Sequence, residues 1–570
     1  MKIKQIVALI LIGGSIFFVN GVCENTVLVS AETNTVNKDF QVEGTVLKKY
    51  TGHEEHIVIP DGITVIGTKA FADVRKEIKS IVLPDSVVEI KAFAFVNSTL
   101  EKVTCSRNLK IIGMRAFDGS KKLKEISGLE KVEYIGGAAF GSTPWLEGQL
   151  KENKVLILGR TLYDARNYVG DLVIPDTVKT IRDAAFSGNE QLTSVTIPNS
   201  VITIGSSAFS KCSTLTSITI PDSVKTIGRG AFSDCKNLES ISLPNGLKTI
   251  EAETFAYCYS LKELKIPKAV TVIEKDSFAG CDALEQLEIP KSVKRIDGDF
   301  SKESPWVKQQ LENSPLLIIN DNLVLVTNLT EEDCKKIAIP KGVKRISERA
   351  FALFEGKGEI EEIIIPDTVT AIGSQAFSFC ISLKKMEIPN SVRHIGSAIF
   401  EGCKKLEKIK LSNHLKTIPD FTFEGCKSLK QITFPESVTT FGEYPLTNSS
   451  KLKNVVFSDK VKNIFSIVDF DYPKDLVIHA PKGSYMETVA KKANVTFKPL
   501  AINKTKVTIK KKGTVQLNIA TDTTYTTWKS SNSSIASVNS TGKVTGKKKG
   551  TATITGVLYG KKYSCKVTVR

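Results

Sequence analysis

The sequence is poor in the residues and motifs on which most catalytic sites depend. Its 570 residues include only five histidines and three tryptophans. Neither a G-x-S-x-G nucleophile elbow nor a phosphate-binding P-loop occurs. His53-Glu54-Glu55-His56 lies in a turn before a strand, whereas zinc motifs of this kind need two histidines on one helical face. Alternating Asp and Asn residues of a calcium loop are also missing. The sequence therefore predicts no enzyme, no metal and no cofactor.

Long apolar stretches are missing after the first thirty residues, so no membrane span is predicted for the mature chain. The N-terminus has a short cationic start and an apolar core from Ile6 to Val19. Val29-Ser30-Ala31 fits the signal-peptidase rule, which predicts export with cleavage after Ala31. A lipoprotein signal at Cys23 is the weaker alternative, because Val22 precedes it where a small residue is needed. We expect a signal peptide at 1–31 and a lead-in at 32–47.

A 23-residue repeat dominates the chain from about residue 48 to 440. A fixed period in the twenties indicates a solenoid, because one unit cannot bury its apolar side without stacked neighbours. The prolines, phenylalanines and cysteines that recur at this period are Pro175, Pro198, Pro221, Pro244, Pro267 and Pro290, then Phe186, Phe209, Phe232, Phe255 and Phe278, then Cys212, Cys235, Cys258, Cys281, Cys380, Cys403 and Cys426.

The unit from Leu192 to Leu215 shows how one coil is built. Its Val195-Thr196-Ile197 alternates apolar and polar residues and predicts a short strand, which Pro198 ends. Gly205 allows a tight turn where a side chain would collide. Ala208 and Phe209 pair a small with a large residue, as interlocking layers require.

The phrase I-P-x-x-V-x-x-I-G-x-x-A-F-x-x-C resembles the BspA-like class of leucine-rich repeats over roughly residues 45–498. The resemblance implies a curved solenoid with a parallel β-sheet on its concave face and short turns on its convex face. It also implies a bacterial surface or secreted protein that binds host or matrix components without enzymatic activity. Cys105 in place of a strand isoleucine and Ser412 in place of proline depart from the pattern.

Two longer units near 144–174 and 305–339 interrupt the period. They begin at Pro144-Trp145 and Pro305-Trp306. Each is predicted to form two apolar strands joined by a polar turn, at Gly159-Arg160 and at Asn320-Asp321-Asn322, which projects from the stack. The pair would either contact a ligand or mark a register break that restarts each array, with tryptophan covering the joint. We favour the register break.

The C-terminal region divides into two parts. Residues 441–498 hold degenerate repeats and a terminal cap, in which Ser484 and Glu487 form a capping box that opens a helix to about Lys492. Residues 500–570 switch to strands of period two and predict a β-sandwich. Here Trp528-Lys529-Ser530-Ser531-Asn532 and the glycine-bounded strand Gly542–Gly546 resemble the group 2 bacterial immunoglobulin-like domain, with Trp528 as its core tryptophan.

The charge is concentrated in the same C-terminal part. Residues 501–570 carry fourteen basic residues and one acid, Asp522, and so account for 13 of the 17 net positive charges. Lysine clusters in its turns would contact anionic cell-wall polymers, although charge also serves solubility. No sortase motif or apolar anchor is found, which favours free secretion or ionic retention. The proposed envelope-contacting residues are Lys510, Lys511, Lys512, Lys547, Lys548 and Lys549.

The cysteines at the coil period pose a choice between disulfides and buried thiols. Export favours disulfides. Side chains stacked about 4.8 Å apart in parallel directions would nevertheless strain a bridge, whose β-carbons need to converge. We expect buried free thiols, because cysteine is a small and readily buried hydrophobe.

Strand residues that alternate with buried positions should line the concave sheet as a flat polar face. Such a face suits a protein or glycan partner better than a small molecule. No nucleic acid partner is predicted, and the oligomeric state is left open. The predicted function is that of an adhesin-type binding protein, secreted or held at the cell surface; the alternatives are an envelope spacer and a secreted enzyme inhibitor. The candidate binding residues are Ser194, Thr196, Ser217, Thr219, Ser240, Ser242, Glu263, Lys265, Gln286, Glu288, Glu387, Lys408, Lys410 and Thr433, beside Gln431.

Overall fold

The computed structural model describes residues 11–12, 15–16, 38–72, 78–327, 329–330, 333, 335–352, 360–464, 473, 475–520 and 524–570. The predicted cleavage site at Ala31 and the alternative at Cys23 lie outside these residues. Within the predicted signal peptide only Leu11–Ile12 and Ser15–Ile16 are described, as a short antiparallel pair.

A column of parallel strands, here called the first sheet, runs along the solenoid at the L-x-x-V-x-I phrase. Equivalent residues of successive coils pair in register, as Ser217 does with Ser240 and Glu263 with Gln286. The apolar middle residue of each strand points into the core and its neighbours point outwards, as period-two alternation requires. The strands are His56–Val58, Ser80–Val82, Lys102–Thr104, Glu125–Ser127, Gly170–Val173, Leu192–Thr196, Ser217–Thr219, Ser240–Ser242, Glu263–Lys265, Gln286–Glu288, Ile337–Ala338, Ile363–Ile364, Lys385–Glu387, Lys408–Lys410, Gln431–Thr433, Asn454–Val456, Val477–Ala480 and Thr496–Pro499.

A second column of two-residue strands, here called the second sheet, follows at the V-x-x-I phrase, where only turns were expected. The last residue of each strand is buried and the first is more exposed. The strands are Val65–Ile66, Glu89–Ile90, Ile111–Ile112, Tyr134–Ile135, Thr180–Ile181, Thr203–Ile204, Thr226–Ile227, Thr249–Ile250, Val272–Ile273, Arg295–Ile296, Arg345–Ile346, Ala371–Ile372, His394–Ile395, Thr417–Ile418, Thr440–Phe441 and Asn463–Ile464.

The repeated phenylalanines and cysteines fill the core between the sheets and the outer turns. Phe209 is fully buried, and its ring lies 4.7 Å from that of Phe186 and 5.4 Å from that of Phe232. The thiol of Cys212 is unbridged and donates to the carbonyl of Phe186, in the preceding coil, at 3.2 Å. Burial raises the pKa of the Cys212 thiol to about 12. The thiol of Cys212 is therefore protonated at neutral pH, and the cysteines of the column form no disulfides.

Gly205 is required by the stacking of coils. A β-carbon at this position would collide with the backbone nitrogen of Asp183 in the preceding coil. Two residues later Ser207 adopts a left-handed backbone with φ of 53°, and Ala184 one coil earlier has φ of 56°. This coil thus needs a glycine at one position and a residue with a left-handed backbone conformation at another.

In the described part of the solenoid there are three antiparallel hairpins, two of them within it and one at its start that the period did not reveal. Each turns at a residue with positive φ, namely Gly44, Gly159 and Asn320. The hairpins do not project from the stack, which corrects the expectation for 144–174 and 305–339. The second strand of each pairs in parallel with the next coil of the second sheet. The strands are Phe40–Glu43 and Val46–Tyr50, Leu156–Leu158 and Thr161–Asp164, and Leu316–Ile319 and Asn322–Val326.

A helix that the sequence did not predict leads into each of the two internal hairpins. These helices are Pro144–Glu152 and Pro305–Gln310. Thr143 and Ser304 cap them by accepting a hydrogen bond from a backbone N–H of the first turn. The ring of Trp145 lies 4.8 Å from that of Phe140, and Trp306 packs against Phe300 at 5.8 Å. Both tryptophans thus lie at the joints, as expected.

The two internal hairpins divide the solenoid core into three arrays. The first apolar cluster runs from Phe40 to Tyr163, the second from Leu162 to Leu325, and the third from Leu323 to Ala490. Adjacent residues of a hairpin strand therefore pack into different clusters, because a strand buried on both faces serves the array on each side. We call these the first, middle and third arrays.

The predicted helix Tyr485–Lys492 lies near the end of the stack, and the strand Thr496–Pro499 follows it as the last strand of the first sheet. The capping box differs from expectation, because the Ser484 hydroxyl makes no hydrogen bond. Glu487 instead accepts the backbone N–H of Gly483 at 2.8 Å. This contact holds the pKa of the Glu487 carboxyl below its usual range.

The C-terminal module is a sandwich of two sheets. Its core contains Leu517, Val544, Ile554 and Val567, while Trp528 is half-buried beside it. A β-carbon on Gly556 would approach the Trp528 ring to 2.8 Å, so the glycine makes room for the indole. The strands are Lys506–Ile509, Lys561–Val569, Gly550–Leu558 and Thr527–Ser530 in one sheet, and Thr514–Gln516, Lys543–Gly546 and Ala536–Val538 in the other.

Candidate functional site

The predicted binding residues of the middle array lie together along one open groove. The groove has a volume of about 900 Å³ and follows the outward-facing side chains of four successive first-sheet strands. Of the predicted residues, those that line it are Thr219, Ser240, Ser242, Glu263, Lys265, Gln286 and Glu288. Ser194, Thr196 and Ser217 continue the same exposed face towards the N-terminus. We call this surface the central groove.

The charges of the central groove nearly cancel, since its lining holds three acids and two lysines. Lys265 contacts Glu288 of the next coil, with Nζ 2.9 Å from Oε2. In the three coils before this ion pair, the outward-facing strand residues are serines and threonines. Exposed ion pairs of this kind contribute about 0–1 kcal/mol each. The groove is thus a polar, nearly neutral surface without a dominant field.

The predicted residues of the third array have different surroundings. Glu387, Lys408 and Lys410 line a cavity of about 640 Å³ that is closed on one side by Thr524 and Thr541 of the C-terminal module. Lys410 also pairs with Glu387 at 2.6 Å. The structure therefore divides the predicted residues between an open groove and a cleft under the module.

Thr433 was predicted to be exposed, and the structure corrects this. Only 4% of Thr433 is accessible. It pairs in register with Val456, which is buried in an apolar cluster with Leu558 and Tyr559 of the module. The module thus covers the C-terminal end of the first sheet, where alternation alone would leave the residue facing solvent.

Two tyrosines of the module bond to the solenoid backbone. The Tyr559 hydroxyl donates to the Phe434 carbonyl at 2.5 Å. The Tyr525 hydroxyl donates to the Leu411 carbonyl at 2.9 Å and accepts its N–H at 2.8 Å. Leu411 and Phe434 each follow a first-sheet strand, in successive coils. These contacts, which the sequence did not indicate, fix the module against the third array.

The six lysines proposed to contact the envelope lie together at the far end of the module. All six are exposed. The backbone N–H of Lys512 donates to the carbonyl of Gly546 at 2.8 Å, which places the turn of Lys510–Lys512 beside that of Lys547–Lys549. Gly550 begins the long strand at this end, whereas Leu558 at its other end packs against the solenoid. We call this surface the lysine patch.

The described part of the chain contains no cluster of three His, Cys, Asp or Glu side chains suited to a metal. Within the same residues, no helix has the length and apolarity needed to cross a bilayer. The most perturbed carboxyl is Asp299 at the second joint, where burial and nearby Asp276 raise its pKa to about 6. The guanidinium of Arg349, which lies 3.9 Å from the Asp299 carboxylate, opposes this rise. Asp276 belongs to the middle array and Arg349 to the third, so these groups lie at the joint between the two arrays.

These features define a leucine-rich-repeat solenoid with a docked immunoglobulin-like module. The BspA type leucine rich repeat region matches residues 49–169, 179–308 and 352–468 in six copies, which is more than half of the chain. The chain therefore belongs to this family. The group 2 bacterial Ig-like domain matches residues 496–567. Members of the repeat family are cell-surface or secreted proteins, and leucine-rich repeat proteins generally bind macromolecules.

Solved structures with similar repeats include three bacterial proteins. A leucine rich cell surface protein from Faecalibacterium prausnitzii is 22% identical, with 80% of this chain and 95% of that one covered and a TM-score of 0.29. A leucine-rich repeat protein from Bacteroides ovatus is 21% identical, with coverages of 85% and 99% and a TM-score of 0.27. The T. pallidum leucine rich repeat protein is 25% identical, with coverages of 43% and 88% and a TM-score of 0.19. No curated protein matches the chain.

Proposed function

We propose that the chain is a non-enzymatic binding protein of the adhesin type, which engages a host or matrix protein or a glycan through the central groove. The observation that carries this proposal is the groove itself. Seven of the predicted residues line it, and it lies open along four coils. Its length and shallow polar surface suit an extended macromolecule, since small-molecule sites are concave and mostly apolar.

The lysine patch would hold the protein at the cell envelope. Its position at the far end of the module directs it away from the solenoid, so that an anionic wall polymer and a groove ligand could be bound together. Attraction between exposed charges is long-ranged at low salt and is screened over about 3 Å at 1 M ionic strength. Binding to isolated cell walls should therefore be lost at high salt.

The site of action in this proposal is outside the cell, either in solution or at the surface. The predicted signal peptide and the family support this. A spacer in the envelope is the second candidate, and the backbone bonds of Tyr525 and Tyr559 favour it because they join solenoid and module into one elongated body.

A panel of matrix proteins and glycans, probed with the full chain, separates the two candidates. A binding protein should show saturable binding to at least one component of the panel, and that binding should persist when the lysine patch is replaced by glutamines. A spacer should bind wall material alone, and only through the patch.

A further inference from the structure

The second sheet carries a column of basic residues that the sequence did not single out. Twelve two-residue strands run from Thr180–Ile181 to Asn463–Ile464, and the hairpin strand Asn322–Val326 lies in the same column between Arg295–Ile296 and Arg345–Ile346. The residue before each two-residue strand is Lys or Arg in eight cases and Ile or Thr in the other four, whereas the acid Asp321 precedes the hairpin strand. Seven of the eight are exposed and Lys179 is half-buried. This basic ladder consists of Lys179, Lys225, Lys248, Lys294, Lys344, Arg393, Lys416 and Lys462.

Backbone hydrogen bonds show that these residues form one column. The N–H of Lys294 donates to Thr271, and that of Thr271 donates to Lys248, with lengths of 2.8 and 2.9 Å. In the third array, Lys462 donates to Thr439 and Thr439 to Lys416 in the same way. Because neighbouring strands lie about 4.8 Å apart, successive cations of the ladder are separated by roughly 5–10 Å.

The charges of the ladder are left unbalanced, in contrast to those of the first sheet. Among the described residues, Lys344 alone of the eight forms an ion pair, with Asp321 at 2.8 Å. Lys225 and Lys294 donate only to the backbone carbonyls of Asp222 and Lys291. By comparison, seven ion pairs between described residues cross between coils in or beside first-sheet strands: Lys79–Glu55, Lys102–Glu125, Lys262–Glu239, Lys265–Glu288, Lys384–Glu361, Lys410–Glu387 and Lys453–Asp475.

The C-terminal end of the ladder enters a cleft against the module. Lys416 and Lys462 line a cavity of about 830 Å³ together with Lys410 and Lys460, and Glu436 is the single acid in its described lining. Thr524, Thr526, Thr527 and the two docking tyrosines form the opposite wall. Low-dielectric walls around charges of one sign focus their field on a ligand of opposite sign.

We propose that the basic ladder binds a linear acidic polysaccharide, whose end is held in the cleft between Lys416, Lys462 and the module. A chain with one anionic group on every sugar or every second sugar would meet cations at the spacing that the coils impose. Like charges in adjacent strands repel one another, and a polyanion would remove that repulsion. This surface is separate from the central groove and from the lysine patch, so its test is independent of the proposed function.

A nucleic acid fits the ladder less well. Sites for single strands combine cations with aromatic platforms on which bases stack. The only Phe, Tyr or Trp among the twelve strands and the residues before them is Phe441, which is buried in the core and offers no stacking platform. The hydroxyls of Tyr525 and Tyr559 in the cleft are engaged by the solenoid backbone.

The test uses the full chain with the six lysines of the patch already replaced by glutamine. In this background, the ladder variant carries Arg393→Gln, Lys416→Gln and Lys462→Gln, whereas the control variant carries Lys121→Gln, Lys236→Gln and Lys404→Gln on exposed outer turns. The probes are heparin and chondroitin sulfate fragments of defined length, uncharged dextran, and a single-stranded DNA of equal charge. Affinity is measured by calorimetry at several salt concentrations.

The ladder variant should bind the acidic fragments about 10-fold to 100-fold more weakly than the background, since each exposed ionic contact contributes modestly. The control variant should bind them unchanged, and dextran should not bind. An equal loss in both variants would show that net charge alone matters and would overturn the proposal. Binding of the DNA at least as tight as that of the fragments, with the same loss in the ladder variant, would overturn the choice of polysaccharide.

Discussion

Replacing Phe232 by alanine tests whether the three arrays unfold as separate units. Phe232 is fully buried in the middle array, with neighbouring rings at 5.4 Å (Phe209) and 6.0 Å (Phe255). Removing a buried ring leaves a cavity and should lower the free energy of unfolding of that array by about 3–5 kcal/mol. In a stack where each coil contacts only its neighbours, this loss should remain within one array.

The three tryptophans of the chain supply the assay. Trp145 packs in the first array, Trp306 lies against the middle array, and Trp528 belongs to the C-terminal module. Single-tryptophan variants report each transition separately by fluorescence in urea. With a urea slope of about 3 kcal/mol/M, the Trp306 midpoint should fall by about 1–2 M. The Trp145 and Trp528 midpoints should move much less.

The control for this experiment is Tyr259→Ala in the same array. Tyr259 is 41% exposed, so its truncation should shift the Trp306 midpoint only slightly. An unchanged midpoint in Phe232→Ala would remove the assignment of the phenylalanine column to the core. Equal shifts at all three tryptophans would show that the hairpins do not separate the arrays.

Two further predictions concern the docked module and the second joint. Tyr559→Phe leaves the Phe434 carbonyl without its donor and should lower the stability of the module by about 1–3 kcal/mol, measured by Trp528 fluorescence in urea. The control is Tyr134→Phe, at an exposed tyrosine. An unchanged urea midpoint in Tyr559→Phe would contradict the docking. In the folded protein the pKa of Asp299 is raised to about 6. The folded protein therefore binds more protons than the unfolded one between about pH 4 and pH 6. Because of this, the contribution of Asp299 to stability falls as pH rises through that window. The stability difference between the wild type and Asp299→Asn should therefore change across the window, and a difference independent of pH would refute the shifted pKa.

The coil could be predicted from the sequence because its constraints repeat. Gly205 and Phe209 recur at one period, and each has a direct structural cause: a backbone too close for a β-carbon, and a ring stacked on its equivalent in the next coil. The two-residue strands of the second sheet were missed, since two residues are too few to show an alternation.

The insertion of the hairpins was misjudged although the sequence carried a signal for it. Asn322–Val326 is buried at every residue. Strands buried on both faces read as continuous apolar runs, and Leu323-Val324-Leu325-Val326 is such a run. Apolar residues on both faces are incompatible with a hairpin that projects into water.

Only part of the candidate site could be predicted. Alternation placed the residues of the central groove on one face, because strand geometry fixes which side chains point outwards. The burial of Thr433 could not be foreseen, since it depends on contacts between Tyr559 and Phe434, which lie 125 residues apart. The lysines and arginines of the basic ladder recur in the sequence at multiples of about 23 residues. Only the hydrogen bonds of the second sheet show that these residues form one column on the surface.

The measurement that tests the central claim most directly is a binding isotherm with a blocked groove. Ser242 is exposed in the central groove, and Ser206 is exposed on an outer turn of the same array. For a ligand found in the panel of matrix proteins and glycans, Ser242→Arg should weaken binding by at least about 10-fold, since a large charged side chain on a flat contact surface costs shape and charge complementarity. Ser206→Arg should bind like the wild type. Equal affinities of Ser242→Arg and the wild type would show that the ligand binds elsewhere and would contradict the assignment of the groove.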